Sequence, residues 1–269
     1  MQWEQLTSTD LGRAARETGV CILAAGVLER HSEHLTLGTD YLNAHAIACL
    51  AAEREPAVVF PPFYFGQIYE ARCFPGAVTL RPQLLLELFL GVFDEIARNG
   101  FHKIVLYNGH GGNNHLFPFL AQCTLWEEKP YALYLPAWGS SPERAARRQA
   151  ILETEHHGHA CECETSMTMA NYPELVHMDR VPDEPALPLE RARDLRGAFA
   201  GIRWYSDYPE HYAGDARAAT REKGLALRDI AVEELAEAIA AIKADAVVPT
   251  LNREFFARER AQRRSGNGA

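Results

Sequence analysis

Three segments of the sequence combine histidine, carboxylate and glycine directly after apolar runs. The first contains Glu29 and His31, with Asp40 a short distance further along the chain. Glu29 and His31 are two positions apart, so in an extended segment both side chains point to one face and can converge on one centre. Mixed imidazole and carboxylate ligands suit zinc, manganese or iron rather than calcium. The pattern therefore indicates a transition-metal site, with an exposed polar loop as the alternative.

The second segment, NGHGGNN at residues 108–114, follows the apolar run at 103–107. Its glycines and asparagines favour a tight turn that lets the backbone approach a ligand and directs the ring of His110 outward. A phosphate-binding loop would need the lysine and the spacing of a P-loop, which this segment lacks. Two interpretations stay open, a metal ligand at His110 and a purely structural turn.

The third segment, HHGHACECETS at residues 156–166, leads into a helical pattern. If the helix begins near Ala160, His159 and Glu162 lie three residues apart on one face, whereas Glu164 points elsewhere. We therefore expect Glu162 to face the metal. Glu164 is the alternative, because the assignment depends on where the helix begins.

Together the segments supply enough ligands for two metal ions. A carboxylate that bridges two ions about 3.5–4 Å apart allows the pair to generate hydroxide from water and to polarise a carbonyl group. The expected chemistry is metal-assisted hydrolysis. The candidate ligands are Glu29, His31, Asp40, His110 and Glu162.

The elements that must position these side chains alternate between strands and helices. Strands of this kind, joined by helices of crossover length, predict a mainly parallel sheet of the α/β class with helices on both faces. Ligands in such folds bind beyond the carboxyl ends of the strands. The predicted strands are 20–26, 57–60, 103–109 and 131–138, and the clearest predicted helices are 83–98 and 229–244.

The chain shows no repeat, low-complexity tract or Ser/Gly-rich linker, so we expect one domain over residues 1–250. A stretch rich in proline and charge at 179–196 is expected to be an irregular surface excursion. Residues 251–264 hold five arginines and two glutamates. We expect the basic tail 251–269 to fray rather than to form a binding element.

Composition narrows the classes of partner. The 269 residues include 27 basic and 36 acidic side chains, a formal net charge of −9, which argues against nucleic acid because phosphate binding needs a positive surface. No apolar run approaches the roughly 18 residues of a membrane span, and the N-terminal residues do not resemble an export signal. Six cysteines without framework spacing fit reduced thiols. We expect a cytoplasmic protein with a small-molecule partner.

Three motifs in register resemble those of the creatininase family. The family's first signature is similar to ERHSEHLTLGTD at 29–40, its second is identical to NGHGGN at 108–113, and its third is similar to HACECETS at 159–166. Two weaker segments, 61–80 and 214–224, agree as well. The resemblance spans most of residues 20–245.

The resemblance implies a three-layer α/β/α sandwich, often assembled as a hexamer, with two divalent metal ions (Zn, Mn or Fe) per subunit. By position, Glu29 and His110 would hold one ion and His31 the other, with Asp40 bridging both. His159 matches a family histidine with an acid/base role. We expect it to donate a proton to a leaving nitrogen, a task that suits a group titrating near neutrality.

One departure from creatininase concerns the substrate. A glutamate follows two residues after the second-motif histidine in creatininase, whereas this chain has Gly112. Glu162 would have to take its place in the metal and catalytic set, and creatinine itself is not the expected substrate. Because family members cleave or form C–N amide bonds, we expect an amidohydrolase acting on a cyclic amide, a formamide or a small peptide-like substrate.

Two other classes of function stay open. A non-hydrolytic metal enzyme, such as a sugar isomerase, would use similar ligands, and a catalytically idle family member would serve assembly or binding. Metal analysis separates the idle protein from the others. The loop 61–76 and the aromatic-rich segment 204–212 are expected to contact either the substrate or, for the latter, a neighbouring subunit.

Overall fold

Four parallel strands form the central sheet of the computed structural model, which describes residues 1–136, 141–195 and 197–266. The strands lie in the order β2-β1-β3-β4, and each neighbouring pair is parallel. The four predicted strands are present, the first and third one residue shorter than predicted, the second with two of four residues and the fourth with three of eight. Residues 137–138 of the last prediction lie outside the described residues. The bounds are β1 Val20–Ala25, β2 Val58–Val59, β3 Lys103–Asn108 and β4 Ala132–Tyr134.

Helices connect and cover these strands, and a separate antiparallel pair lies beside them. The paired strands are β5 His157–His159 and β6 Ala213–Gly214. The helices are α1 Ser8–Thr18, α2 Thr39–Arg54, α3 Pro82–Arg98, α4 Asn113–Cys123, α5 Pro142–Ile151, α6 Glu162–Asn171, α7 Arg203–Asp207, α8 Arg221–Ala244 and α9 Val247–Gly266. None of these described helices is long and apolar enough to cross a membrane.

Both faces of the sheet are buried, as the alternation of side chains along β1 shows. Ile22 packs into an apolar cluster with residues of α2 and α8, whereas Leu23 packs into a cluster with α1, α3 and α4. Successive side chains of a strand point to opposite faces, so a strand covered on both sides reads as a continuous apolar run. The structure therefore confirms a three-layer α/β/α sandwich.

The two predicted helices are confirmed with one change of length. Pro82 is the first residue of α3, where its missing N–H costs no hydrogen bond. Helix α8 begins at Arg221, well before the predicted start at residue 229. Thr220 explains this start, because its hydroxyl caps the helix by accepting a hydrogen bond from the backbone N–H of Lys223 at 3.2 Å.

The predicted frayed tail at 251–269 is wrong over the part that the structure describes. Helix α9 continues to residue 266, and Asp245 caps its start by accepting hydrogen bonds from the N–H groups of Val247 and Val248. Phe256 is only 4% exposed, and Arg260 pairs with Glu128. Packing of one apolar side chain and a cap stabilise the helix. Residues 267–269 lie outside the described residues.

The excursion at 179–196 is irregular as predicted over its described residues 179–195, while Arg196 lies outside them. It contacts the rest of the chain through a backbone bridge from Ala186 to Gly214. This contact places the excursion beside β6.

Close backbone contacts at the carboxyl ends of β1 and β3 bring α2 against the sheet. A Cβ atom at Gly26 would lie 2.3 Å from the backbone nitrogen of Tyr41, and one at Gly109 would lie 2.8 Å from the carbonyl oxygen of Asp40. Glycine is needed at both positions because any larger residue would push α2 away. The first turn of α2, which carries Asp40, therefore lies beside the ends of both strands.

Candidate metal centre

His110 lies just beyond β3 and faces two carboxylates. Its backbone N–H donates to the side chain of Asn108 (3.0 Å), and its Nε2–H donates to the carbonyl oxygen of Gln67 (2.8 Å). A carbonyl oxygen can only accept, so Nδ1 carries no proton in the neutral ring. Nδ1 lies 2.8 Å from Oε1 of Glu29 and 2.8 Å from Oδ2 of Asp40. Three potential ligand atoms therefore converge on one point.

His31 repeats this arrangement on the other side of Asp40. Its Nδ1 donates to the carbonyl oxygen of Glu29 at 3.2 Å, and its Nε2 lies 3.0 Å from Oδ1 of Asp40 and 4.0 Å from Oε2 of Glu164. The ring is completely buried. Asp40 thus directs one oxygen toward each histidine.

The donor set fits metal ions. Histidine ligands in proteins usually donate their second N–H to a carbonyl or carboxylate, as both rings do here. Among the described residues, Oε1 of Glu29 and Oδ2 of Asp40 are buried without an aligned hydrogen bond, a costly state that a cation would relieve. Groups with ligand atoms within 4.8 Å of one another are Glu29/Asp40/His110, His31/Asp40/Glu164 and Glu29/His31/His159.

The structure does not bring Glu162 to this cluster, contrary to our prediction. Its carboxylate accepts hydrogen bonds from the backbone N–H of Glu153 (3.1 Å), from Thr154 (2.9 Å for N–H, 2.8 Å for the hydroxyl) and from Lys223 Nζ (2.5 Å). The reason is the phase of α6, which begins at Glu162 rather than near Ala160. Glu162 therefore points toward α8.

Glu164 takes the place that we assigned to Glu162. Its Oε2 lies 4.0 Å from Nε2 of His31 and 3.9 Å from Nδ1 of His159, and it accepts the N–H of Ala160 at 2.5 Å. Burial and the charge of Asp40 raise the pKa of Glu164 to about 7. A carboxylate with a raised pKa beside other carboxylates is typical of a functional site.

Charge balance in the cluster rests on the histidines. Burial by itself would lower the pKa of His31, but the charge of Asp40 outweighs it and raises that pKa to about 9. Against the same effect of burial, Glu29 and Asp40 raise the pKa of His110 well above its usual value. Burial raises the pKa of Glu29, yet His110 and His159 bring it well below the ordinary value. The cluster therefore attracts positive charge, whether protons or metal ions.

His159 follows a different pattern although it lies 4.2 Å from the ring of His31, measured between centroids. Its Nε2–H donates to the carbonyl oxygen of Arg30 at 2.7 Å, which leaves Nδ1 as the proton acceptor. Burial lowers the pKa of His159 to about 3. The ring is neutral at pH 7, so it must accept a proton before it can donate one.

His211 is a cluster residue that sequence reasoning missed. Its Nε2 lies 2.6 Å from Oε2 of Glu29, and its ring centroid lies 4.7 Å from that of His159. His211 and Glu29 are so far apart in the sequence that no argument from residue spacing predicts their contact. His211 lies within the aromatic-rich segment 204–212, which we expected to contact the substrate or a neighbouring subunit rather than the cluster.

Two cavities lined by described residues reach the cluster. The first, of about 600 Å³, is lined by Asp40, His110 and Glu164 together with apolar residues of α2 and α6. The second, of about 840 Å³, is lined by His110, His159, His211 and Glu164, by Gln67, Tyr69 and Glu70 of the loop 61–76, and by Trp204 of the aromatic segment. The loop 61–76 and the aromatic segment 204–212, which we expected to contact substrate, therefore both line the second cavity.

Gly112 forms part of the wall of this second cavity. A Cβ atom there would lie 2.5 Å from Oε1 of Gln67 and 2.5 Å from Nε2 of His110. The Gln67 side chain, which donates to Glu70 at 2.7 Å, thus occupies the space that a larger residue at position 112 would need. A glutamate at 112 is incompatible with this loop position.

Comparison with known proteins identifies the family of this chain. The family model for creatininase, described as creatinine amidohydrolase, matches residues 4–239. The creatinine amidohydrolase of Pseudomonas putida is 29% identical over 254 residues, which cover 84% of this chain and 91% of that protein. A mycofactocin precursor peptide peptidase of Mycolicibacterium smegmatis is 37% identical over 98 residues, 34% of this chain and 39% of that protein.

Solved structures of creatininase share the fold. A manganese form superposes with a TM-score of 0.75 at 24% identity, covering 91% of this chain and 99% of the other. A zinc–zinc form of a creatininase variant gives a TM-score of 0.76 at 24% identity, covering 91% and 98%. The predicted sandwich is therefore a known architecture.

Proposed function

This chain belongs to the creatininase family of amidohydrolases, and from that premise we propose that it hydrolyses a C–N amide bond of a small molecule with two divalent metal ions. One observation carries the proposal. One carboxylate oxygen of Glu29 and one of Asp40 each lie 2.8 Å from Nδ1 of His110, while the other ring nitrogen of His110 donates to a backbone carbonyl.

The two groups that share Asp40 would hold the ions. Glu29, Asp40 and His110 form the first site; His31, Asp40 and Glu164 form the second. Such ions, when bound, polarise a carbonyl oxygen and lower the pKa of water. The imidazole and carboxylate donors suit zinc, manganese or iron, and related creatininases are known in manganese and zinc forms.

His159 would move the proton between water and the leaving nitrogen. Its unprotonated Nδ1 faces the cluster, 3.9 Å from Glu164, and its Nε2–H is held by Arg30. As a neutral ring it accepts a proton from the attacking water at Nδ1 and afterwards donates that proton to the amine. The carboxylate of Glu164, 3.9 Å from Nδ1, would favour the protonated ring between the two steps.

The second cavity supports a substrate larger than creatinine. Its volume of about 840 Å³ lies within the range of cavities that hold drug-sized ligands. Gln67, whose side chain fills the space beside Gly112, and Glu70 supply polar groups beside the cluster. Formamides and peptide-like amides with a ring or side chain are therefore preferred candidates over the smallest cyclic amides.

We also propose a cytoplasmic homo-oligomer. Large apolar side chains such as Trp126 (87% exposed) and Phe199 (81%) would be covered by neighbouring subunits. All six cysteines, which lie among the described residues, are free, as is usual for a reducing compartment. Sedimentation analysis of the purified protein tests the assembly.

Metal analysis combined with a substrate screen tests the proposed function. We expect about two ions per chain in the wild type, hydrolysis of at least one member of a panel of formamides, cyclic amides and short peptides, and loss of both properties in Asp40→Ala. Two bound ions without hydrolysis would favour the isomerase class, and a wild type that binds no ion would favour an idle protein. Normal metal content in Asp40→Ala would refute the bridging role.

A further inference from the structure

His211 contacts one oxygen of the Glu29 carboxylate from outside the proposed metal groups. The distance from Nε2 to Oε2 is 2.6 Å, and the two residues are 2% and 1% exposed. A hydrogen bond of a buried carboxylate is short and strong because water does not compete with it. The contact therefore restricts the rotation of the Glu29 carboxylate.

The other oxygen of Glu29 faces the metal centre. Oε1 lies 2.8 Å from Nδ1 of His110 and accepts no aligned hydrogen bond from a described residue. Rotation about the last side-chain bond would exchange the two oxygens, since that torsion is broad and two-fold in glutamate. The donor on Oε2 suppresses this rotation and keeps Oε1 directed at His110 and Asp40.

The backbone of His211 is itself held in an unusual conformation. Its φ of 55° lies in the left-handed region, which non-glycine residues adopt rarely and mainly where their surroundings require it. Its N–H donates to the carbonyl oxygen of Tyr208 at 3.1 Å, and its ring stands nearly perpendicular to those of His159 and Trp204. Contacts on several sides thus fix the ring against Glu29.

We propose that His211 is a positioning residue that orients Glu29 as a ligand of the first proposed metal ion. The inference rests on the proposed function, because it assigns His211 a role toward an ion held by Glu29, Asp40 and His110. His211 does not touch the reacting atoms in this role. Carboxylate ligands in metal sites are commonly oriented by such hydrogen bonds, and losing one costs about 10–100-fold in metal affinity or activity.

The test compares His211→Gln, His211→Asn and His211→Phe in the full chain. The amide of glutamine reaches about as far as Nε2 of histidine and can donate to Oε2, whereas asparagine is one methylene shorter and phenylalanine cannot donate. Competition with a chromophoric chelator gives the dissociation constants of both Mn²⁺ and Zn²⁺. We expect the affinity for the tighter ion to fall about 10–100-fold in the Phe and Asn variants and to stay within about threefold in Gln.

His45→Phe is the matched control, because His45 is also buried but lies on α2 without contact to the cluster carboxylates. We expect it to bind metal like the wild type. Equal metal affinity in His211→Phe and wild type, or equal losses in Gln and Asn, would overturn the inference. If His211→Phe does not fold, the comparison of Gln with Asn decides. A wild type that binds no metal would instead refute the proposed function.

Discussion

Glu162 and Glu164 lie two residues apart on α6, yet their surroundings are opposite. Glu162 is fully buried and accepts hydrogen bonds from Glu153, Thr154 and Lys223, which outweigh the effect of burial and lower its pKa. Glu164 accepts one N–H from Ala160 and lies 4.0 Å from Nε2 of His31, where burial raises its pKa.

The difference separates a carboxylate that supports the fold from one prepared for chemistry. A carboxylate whose oxygens already accept several hydrogen bonds gains nothing from a metal ion. A carboxylate with a raised pKa and few hydrogen bonds can bind a metal ion instead of a proton. Glu162 ties the segment before β5 to α8, and this segment leads directly to His159. Substitution of either glutamate by glutamine should therefore have opposite consequences for the fold and for metal binding.

Glu164→Gln should abolish the second proposed metal site without harming the fold. The expected loss of turnover is at least about 100-fold, equivalent to about 3 kcal/mol of transition-state stabilisation. The unfolding temperature of the metal-free variant should equal or exceed that of the wild type, because a carboxylate among like charges is removed. Metal analysis and thermal unfolding check both parts. Full activity would exclude Glu164 from the site.

Glu162→Gln should show the reverse, a fold that is weakened and a metal site that is retained. We expect a loss of about 3 kcal/mol in the free energy of unfolding. The ammonium group of Lys223, only 13% exposed, would keep its charge after losing its buried carboxylate partner. Urea unfolding measures this loss, and metal content should stay at the wild-type level. Glu153→Gln removes the exposed partner of Lys223 and serves as control, with a cost below about 1 kcal/mol. Loss of metal in Glu162→Gln would contradict the separation of a structural Glu162 from a metal-binding Glu164.

The two carboxylates should give opposite pH dependence of stability in metal-free protein. The pKa of Glu162 is lowered, so its stabilisation is present above the unfolded value of about 4.3 and disappears as pH falls through the folded pKa. The pKa of Glu164 is raised to about 7. The free energy of unfolding should therefore fall as pH rises from about 4.3 to about 7, because the unfolded chain releases this proton before the folded protein does. Urea unfolding of both Gln variants from about pH 2.5 to about pH 8 tests this, because the Glu162 contribution disappears below about pH 4.3. Parallel pH profiles would contradict it.

Cys163→Ala should have the smallest effect. Cys163 lies between the two glutamates and lines the smaller cavity, and burial raises its pKa far above the ordinary value, so it stays a thiol. We expect unchanged metal content and a stability change within about 1 kcal/mol. A reduced metal content in this variant would indicate that the thiolate of Cys163 is also a metal ligand.

Much of this molecule could be predicted from short patterns. The strands that end before Glu29 and His110 are apolar runs, and the parallel sheet follows from their alternation with helices. Because the carboxyl ends of parallel strands share one edge, the sequence predicts that His31 and His110 lie near one another, and in the structure each ring lies within 3.0 Å of an oxygen of Asp40.

Other features depend on contacts that local patterns do not contain. The helix α9 replaces a predicted frayed tail because Phe256 packs on the body and Asp245 caps its start. His211 reaches Glu29 only through the folded path of residues 204–212, since no periodicity connects positions so far apart.

The amino-acid sequence by itself determined the membership in a family, the sandwich and the candidate ligand residues that follow β1 and β3, because each rests on residue types at short, regular spacing. The tertiary structure decided which glutamate of α6 joins the cluster. Ala160 adopts a φ of 53° and the helix begins only at Glu162, so Glu164 faces His31 while distant donors, Lys223 above all, hold Glu162 away. A shift in helix phase changes the face of every side chain on it, and only long-range contacts set that phase.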